Sequence, residues 1–553
     1  MRVIAALSLL LLGSAPALGS AAAPKRHIPR DCVLPDLYDA SVKELSNGME
    51  AGCFTAVDLV KAYLARISEV NEELHAVIET NPDAVEIAAQ LDKDRAAGII
   101  WGPLHGIPVL VKDNIGTADK MNTTAGSYAL LGSIVPRDAH VVKKLREAGA
   151  IILGKANLSE WAYYRGNGIS NGWSARGGQT SNPYYPKGDT WGSSSGSAVA
   201  AAVGLAAVTL GSDTGGSVIC PSDRQNVFGI RPTTGWVSRA GVVPLSEHQD
   251  TVGPITRWAA DAALVLEIIS GPDYRDNYTL AQPDVVPRYT YYLDEKALVG
   301  KKICVPRKVF NQDNVTHNDP SIGPVFNHSL VELANLGATI IDPAEMPSVL
   351  DGLYPTNVST GLVFATDFKV DIKNYLDGLL SIPTGVHDLG DLIEFNIAHA
   401  DLELPPLQNN QASWLTANAT TGMANSTYLR DVWLDYYIGR TDGIHATLDK
   451  YGCDAIVLPS EGRTTTIATI AGCPIMNVPL GYYPDTVNAT AIHNGTQFFP
   501  APGIPFGLSF LGRQWDDANV LGMAYAYEQG TKHRLDNHAY DKATPKTQLA
   551  DVM

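Results

Sequence analysis

Short, almost uninterrupted apolar runs alternate with helical stretches through the first half of this chain, and that alternation limits its architecture more than any other feature. Residues 106–113 form an apolar, β-branched run (Ile107, Val109, Leu110, Val111) closed by the charges of Lys112 and Asp113. Residues 139–148 have helical spacing and lead into Ile151, Ile152 and Leu153. Residues 197–205 read as an Ala-rich helix, 207–210 as a buried strand and 259–269 as helix again. A run that is apolar at every position, not every second one, is a strand covered on both faces. Strand–helix–strand order of this kind predicts an α/β fold: one large domain with a mixed, mostly parallel sheet covered by helices.

The rest of the chain fits around that core. Residues 37–98 read as helical; Thr55 and Asp58 form a capping-box pattern, and Val57, Val60, Leu64 and Ile67 share one face. Residues 270–300, rich in Pro, Asp and Tyr, form a long connection. Residues 302–306 and 454–459 restart core strands. The irregular stretch 337–451 is expected to build a variable substrate pocket.

Composition narrows the partners. A net charge of −17 over 553 residues argues against nucleic acid, which needs a basic footprint, and against an anionic membrane surface. The N-terminus carries Arg2, a short apolar run and a small-residue zone, the pattern of a signal peptide over about residues 1–19. Ten Asn-x-Ser/Thr sequons begin at Asn122, Asn157, Asn277, Asn314, Asn327, Asn357, Asn418, Asn425, Asn488 and Asn494. Chance gives about three or four, so N-linked glycans and a secreted, extracellular protein are expected. Of the six cysteines, Cys32 with Cys53 and Cys304 with Cys453 are the expected pairs, although spacing cannot select among connectivities. No Cys-x-x-Cys occurs, so no structural metal is expected, and a homodimer is left open.

The chemistry concentrates in two Gly/Ser loops, residues 192–197 and 213–217. Neither continues as a phosphate-binding motif, so no nucleotide cofactor is expected. Residues 192–196 match Gly-x-Ser-x-Gly around Ser194, but the preceding Pro186, Lys187 and Gly188 do not form the strand that a nucleophile elbow requires. Ser217 follows two glycines, whose backbone N–H groups can converge on a developing oxyanion. A serine nucleophile needs a base. No histidine lies nearby in sequence, whereas Lys112 ends an apolar strand, where burial favours the neutral amine. A Ser/Lys hydrolase and plain Gly/Ser turns with a strand-end lysine are both compatible with these residues alone.

At these positions the chain resembles the amidase signature family. Residues 102–113 look like its lysine strand, and Gly154-Lys155-Ala156-Asn157 like the element that follows. Residues 192–197 and 213–217 look like the signature itself, with Gly229-Ile230-Arg231-Pro232-Thr233 continuing it. Residues 471–474, 478–481 and 505–508 resemble the C-terminal core, so the likeness spans about residues 35–535. Within the family, Gly172 to Gln179 and Ser217 to Pro221 look most like the peptide-amidase branch. Ile219 stands where many relatives carry Arg, so contacts of that Arg are not carried over. The resemblance implies a triad of Ser217 (nucleophile), Ser193 (reached through a cis peptide) and Lys112 (base). It also implies an oxyanion site from the backbone of Thr214, Gly215, Gly216 and Ser217, with Ser194 and Asp213 in support and no cofactor.

The substrate implied is a small-molecule or peptide amide. Acyl transfer to a non-water acceptor by the same residues, and a silent binding protein, remain as alternatives. Cys220 is expected to be buried or pocket-lining, and His105 and His248 structural. Trp173 and Arg176 are expected at the substrate or in loop support. Asn157 matches a family position near the core, so its sequon is expected to be the least readily glycosylated of the ten.

Overall fold

A computed structural model of the chain describes residues 32–311, 319–461 and 464–553. The segment read above as a signal peptide and the sequon at Asn314 lie outside these residues. Eleven strands form the main sheet: β1 (Val77–Thr80), β2 (Pro108–Lys112), β3 (Ile151–Ala156), β4 (Val208–Asp213), β5 (Phe228–Arg231), β6 (Thr251–Thr256), β7 (Lys302–Cys304), β8 (Thr339–Ile341), β9 (Ala455–Pro459), β10 (Ile475–Tyr482) and β11 (Pro505–Leu511). Their spatial order is β1-β3-β2-β4-β6-β5-β10-β11-β9-β7-β8. Strands from both sides of the 270–300 connection therefore share one sheet, and the chain is the expected single large domain.

The sheet is mixed, and parallel pairing falls into two groups. Strands β3, β2 and β4 pair parallel, as do β8, β7 and β9. The first group follows the predicted alternation: helix His140–Glu147 joins β2 to β3, and helix Ser195–Ala202 precedes β4, the crossover geometry that places strands side by side in the same direction. Between the groups, β6, β5, β10 and β11 pair antiparallel, and the parallel share is smaller than the alternation suggests. Only short turns and a two-stranded ribbon separate β10 from β11, so β11 returns antiparallel.

Helix Ala56–Leu74 starts at the expected capping box: Thr55 Oγ1 accepts from Asp58 N at 3.0 Å and Asp58 Oδ2 from Thr55 N at 2.8 Å. Its buried face centres on Leu59, Val60, Tyr63, Ile67 and Val70, while Val57 and Leu64 sit half-buried beside it. The reading of residues 37–98 as wholly helical is corrected by β1. His75, at φ 46°, ends the helix, and Val77 and Ile78 begin an antiparallel partner for β3.

Helix Ser195–Ala202 is buried at every residue. Its small side chains let it pass close to neighbouring backbone: a Cβ on Gly196 would lie 2.3 Å from Ala76 O and 2.5 Å from Asn157 N. A buried helix end must find donors for its last carbonyls, and here arginines supply them. Arg257 Nη1 donates to Ala201 O (3.2 Å), Arg534 Nη2 to Ala202 O (3.0 Å) and Arg66 Nη2 to Val203 O (3.0 Å). Cations at a helix C-terminus also oppose its negative dipole end.

Both expected disulfides are present. Cys32–Cys53 ties the start of the described chain to the first helices, and Cys304–Cys453 joins the end of β7 to a position two residues before β9. Cys220 and Cys473 are free and buried. Residues 337–451 are mostly helical, and part of this region forms a second, smaller core around Phe368, Ile372, Leu392 and Trp414, packed with Trp161 and Leu245. No helix among the described residues is long and apolar enough to cross a membrane.

Candidate active site

Lys112 ends β2 and Asp213 ends the neighbouring parallel strand β4, so the loops that follow open on the same edge of the sheet. Ligand sites of open α/β sheets gather at such strand ends. Lys112 is fully buried. Its Nζ donates to Ser193 Oγ at 2.7 Å, Ser212 Oγ at 2.9 Å and Ser212 O at 3.2 Å. Asn114 Nδ2 donates to Ser212 Oγ at 2.9 Å and fixes that hydroxyl. Burial pulls the Lys112 ammonium down from the usual lysine range to about 7, against the opposing pull of the Asp213 and Asp250 carboxylates. Near neutral pH this amine therefore exists in both protonation states, a condition for accepting a proton.

The Gly192–Ser193 peptide bond is cis, in line with the resemblance. Ser193 and Ser194 precede helix Ser195–Ala202, and both are fully buried. Ser194 N donates to Ser217 O at 3.1 Å and Ser194 Oγ to Ser212 O at 3.1 Å. Ser194 thus fastens the two Gly/Ser loops to each other. The nucleophile-elbow reading fails here, because no strand leads into Ser194 and its hydroxyl is turned onto a backbone carbonyl.

Asp213 folds the second loop. Its carboxylate accepts from Gly216 N (2.8 Å) and Val218 N (2.6 Å) and pairs with Arg231 Nε (3.2 Å). Gly216 turns at φ 119°, and a Cβ there would lie 2.6 Å from Thr465 Oγ1 and 2.7 Å from Cys220 Sγ. One expectation needs correcting: the Gly216 N–H is committed to Asp213, so it is not a free oxyanion donor. The N–H groups of Thr214, Gly215 and Ser217 make no hydrogen bond among the described residues. Thr214 is held from its side chain, whose Oγ1 donates to Asp250 Oδ1 at 2.6 Å.

Ser217 is half-buried and opens into a cavity of about 290 Å³. Its hydroxyl makes no hydrogen bond among the described residues. Sequence reasoning missed most of the cavity wall. Tyr163, Tyr164 and Phe364 form an aromatic side, with Tyr164 and Phe364 edge to face at 6.0 Å. Trp191, Asn171 and Gly192 form the side nearest the cis peptide, and Thr465, Thr466 and Cys220 another. Of the lining residues, Phe364 alone comes from the irregular 337–451 stretch. Tyr163 and Tyr164 carry no sequence signal, because they enter through a left-handed turn at Trp161, Ala162 and Tyr163 (φ 51°, 55° and 71°).

The remaining candidates have other roles. His105 Nε2 lies 3.0 Å from Leu91 O, and His248 Nδ1 lies 2.9 Å from Asp367 Oδ2; neither lines the cavity. Arg176 reaches Thr124 Oγ1 at 2.9 Å, and Trp173 packs beneath Arg165, so both support loops. Cys220 lines the cavity with its thiol pushed well up by burial. Ile219 is fully buried. Lys155, pulled down to about 8 by burial, donates to Ile115 O and Thr123 Oγ1. Asn157 is fully buried: its Nδ2 donates to His75 O at 2.9 Å and its Oδ1 accepts from Ser174 Oγ at 2.7 Å.

Comparison with known proteins gives the family. Residues 58–521 match the Amidase family. A protein of Arthroderma benhamiae that carries the name amidase is 39% identical over 92% of this chain and 88% of its own. The solved structure of a peptide amidase from Stenotrophomonas maltophilia is 38% identical and superposes with a TM-score of 0.81, covering 92% of this chain and 99% of that one. A peptide amidase solved with the competitive inhibitor chymostatin is 39% identical, with a TM-score of 0.81 over 90% of this chain and 99% of that one. The chain belongs to the amidase family (the amidase signature family) and is an amidase, a hydrolase of the C–N bond of amides.

Proposed function

We propose that this amidase works through Ser217, Ser193 and Lys112, and that its substrates are uncharged carboxylic amides, C-terminal peptide amides among them. The observation that carries the reading is the wholly buried Lys112–Ser193 contact of 2.7 Å, on a loop that Ser194 N fastens to Ser217 O, with the Ser217 hydroxyl open to the cavity. Neutral Lys112 takes the Ser193 proton as Ser193 takes that of Ser217. Ser217 Oγ then bonds to the amide carbon, and the oxyanion faces the N–H groups of Thr214, Gly215 and Ser217. As the C–N bond breaks, the proton returns through Ser193 to the leaving nitrogen. Water then cleaves the ester by the same relay, releasing the acid and restoring Ser217.

Uncharged substrates are favoured because none of the cavity-lining side chains named above is ionised, and a buried charge without a partner is costly. The experiment is a panel of primary amides assayed for ammonia release, with and without hydroxylamine. Stoichiometric ammonia and free acid support hydrolysis. A hydroxamate as main product at low hydroxylamine, with little free acid, would assign acyl transfer instead.

The secreted, glycosylated state is part of the same proposal. It rests on the N-terminal pattern and on the placement of the sequons. Asn277, Asn327, Asn357, Asn418, Asn425, Asn488 and Asn494 are exposed, whereas Asn157 is buried and Asn122 is half-buried against Glu79. Glycopeptide mapping of protein from a eukaryotic secretory host is expected to find glycans on the exposed group and none on Asn157. A glycan on Asn157, or none anywhere, would contradict it.

A further inference from the structure

Asn171 is the one side-chain amide among the described residues that line the cavity. Its backbone is held firmly: the carbonyl accepts from Gln179 Nε2 at 2.6 Å and Gln497 Nε2 at 3.3 Å. The next residue, Gly172, donates its N–H to Ser159 Oγ at 2.8 Å. Its side-chain amide, by contrast, makes no hydrogen bond among the described residues, although the residue is half-buried. That amide lies beside Gly192, with Oδ1 3.4 Å from the position a Gly192 Cβ would take, and it shares the cavity with Ser217. An anchored backbone carrying an unused donor and acceptor is a pre-organised polar contact in an otherwise largely aromatic and neutral wall.

The chemistry of that contact selects its partner. A side-chain amide offers one donor face and one acceptor face, the complement of a peptide group. A carboxylate or an ammonium would use only half of it and would find no counter-charge among the residues around it. We infer that Asn171 is a specificity-determining residue that hydrogen-bonds the peptide group on the acyl side of the scissile amide, so that the enzyme prefers N-acylated amino-acid amides and peptide amides over amides lacking that group. The side chain of the substrate's amidated residue then faces Tyr163, Tyr164 and Phe364. This inference rests on the proposed Ser217 chemistry and adds the recognition element to it.

Three amides with one phenyl group separate the parts: N-acetylphenylalaninamide, phenylalaninamide with its free amine, and 3-phenylpropanamide, which lacks the peptide group. For the unaltered enzyme kcat/KM should be highest for the N-acetyl compound. Asn171→Ala should lower kcat/KM for that compound about 10- to 100-fold and change 3-phenylpropanamide less than about 2-fold. Asn171→Asp, nearly isosteric, should show the same selective loss, which keeps the test open if the alanine variant folds poorly. Equal losses on both substrates would assign Asn171 a purely structural role, and an unchanged N-acetyl rate would remove it from recognition; either overturns the inference. Labelling of Ser217 by a fluorophosphonate is read in parallel. Unlabelled Ser217 alongside the selective Asn171 effect would overturn the nucleophile assignment and leave the anchor standing.

Discussion

Replacing Ser217 by alanine is expected to lower amide turnover by about 10⁴- to 10⁶-fold, the scale set by loss of a nucleophile in other serine hydrolases. The fold should be unaffected, because the Ser217 hydroxyl faces the cavity and no internal hydrogen bond among the described residues depends on it. What survives should be the weak catalysis of the N–H groups of Thr214, Gly215 and residue 217 acting on water. Initial rates of ammonia release and a thermal melt of the same sample check both halves. A folded Ser217→Ala protein within about tenfold of normal activity would mean that another group attacks the amide.

The second large effect belongs to Lys112. Burial holds its conjugate acid down to about 7, and the neutral amine is the form that accepts a proton. The log of kcat/KM for a substrate with no ionisable group should therefore rise by one unit per pH unit below about pH 7 and level off above it. An enzyme whose base were an ordinary surface lysine would instead keep gaining rate up to about pH 10. Lys112→Ala and Lys112→Met should each cost about 10³-fold or more and abolish the pH 7 limb. Lys112→Arg should not rescue, since guanidinium stays protonated throughout this range. The methionine variant separates chemistry from folding. Because the folded-state pKa is depressed, keeping a charged Lys112 buried costs stability at every pH below its unfolded value near 10.4. Exchanging it for an apolar chain of similar length removes that cost but also the donor to Ser193 and Ser212, so the two effects oppose each other and Lys112→Met should still fold, with a melt close to that of the unaltered protein. A flat pH profile between 6 and 8 with Lys112 intact would contradict its role.

Much of this site can be read from the sequence because it depends on short segments with strong local rules. Lys112 closes an apolar run that can only be a buried strand. The glycines before Ser217 mark a turn that other residues cannot make: Gly216 combines a φ of 119° with two atoms inside 3 Å of the position a side chain's Cβ would occupy. Asp213 ends its strand and holds the loop after it by accepting from Gly216 N and Val218 N. The strand–helix alternation also places β2, β3 and β4 correctly, since each run is apolar but for Thr209 in β4 and is bounded by a charge or a glycine.

What the sequence conceals is set by distance along the chain. The cavity wall draws Tyr164, Asn171, Leu245, Phe364 and Thr465 together from five separate segments, and no local pattern reports that they meet. Strand β1 escapes a sequence reading because four residues, Val77 to Thr80, follow a 19-residue helix with no Pro or Gly between them; the break is a left-handed His75. The loss of Gly216 as a free donor is equally hidden. Only the folded loop shows that Asp213 reaches back to that N–H rather than leaving it to the substrate.

The central claim is a covalent one: the acyl group of the amide passes through an ester on Ser217. The most direct measurement is acid quench of the enzyme during turnover of a slow amide or an activated ester, followed by proteolysis and mass spectrometry of the peptide that contains Ser217. The account predicts that peptide with a mass increase equal to the acyl group, fragmenting to place it on Ser217, and no such species in Ser217→Ala. An acyl group found on Ser193, Ser194 or Cys220, or full turnover with no covalent species under conditions where deacylation is slow, would contradict it.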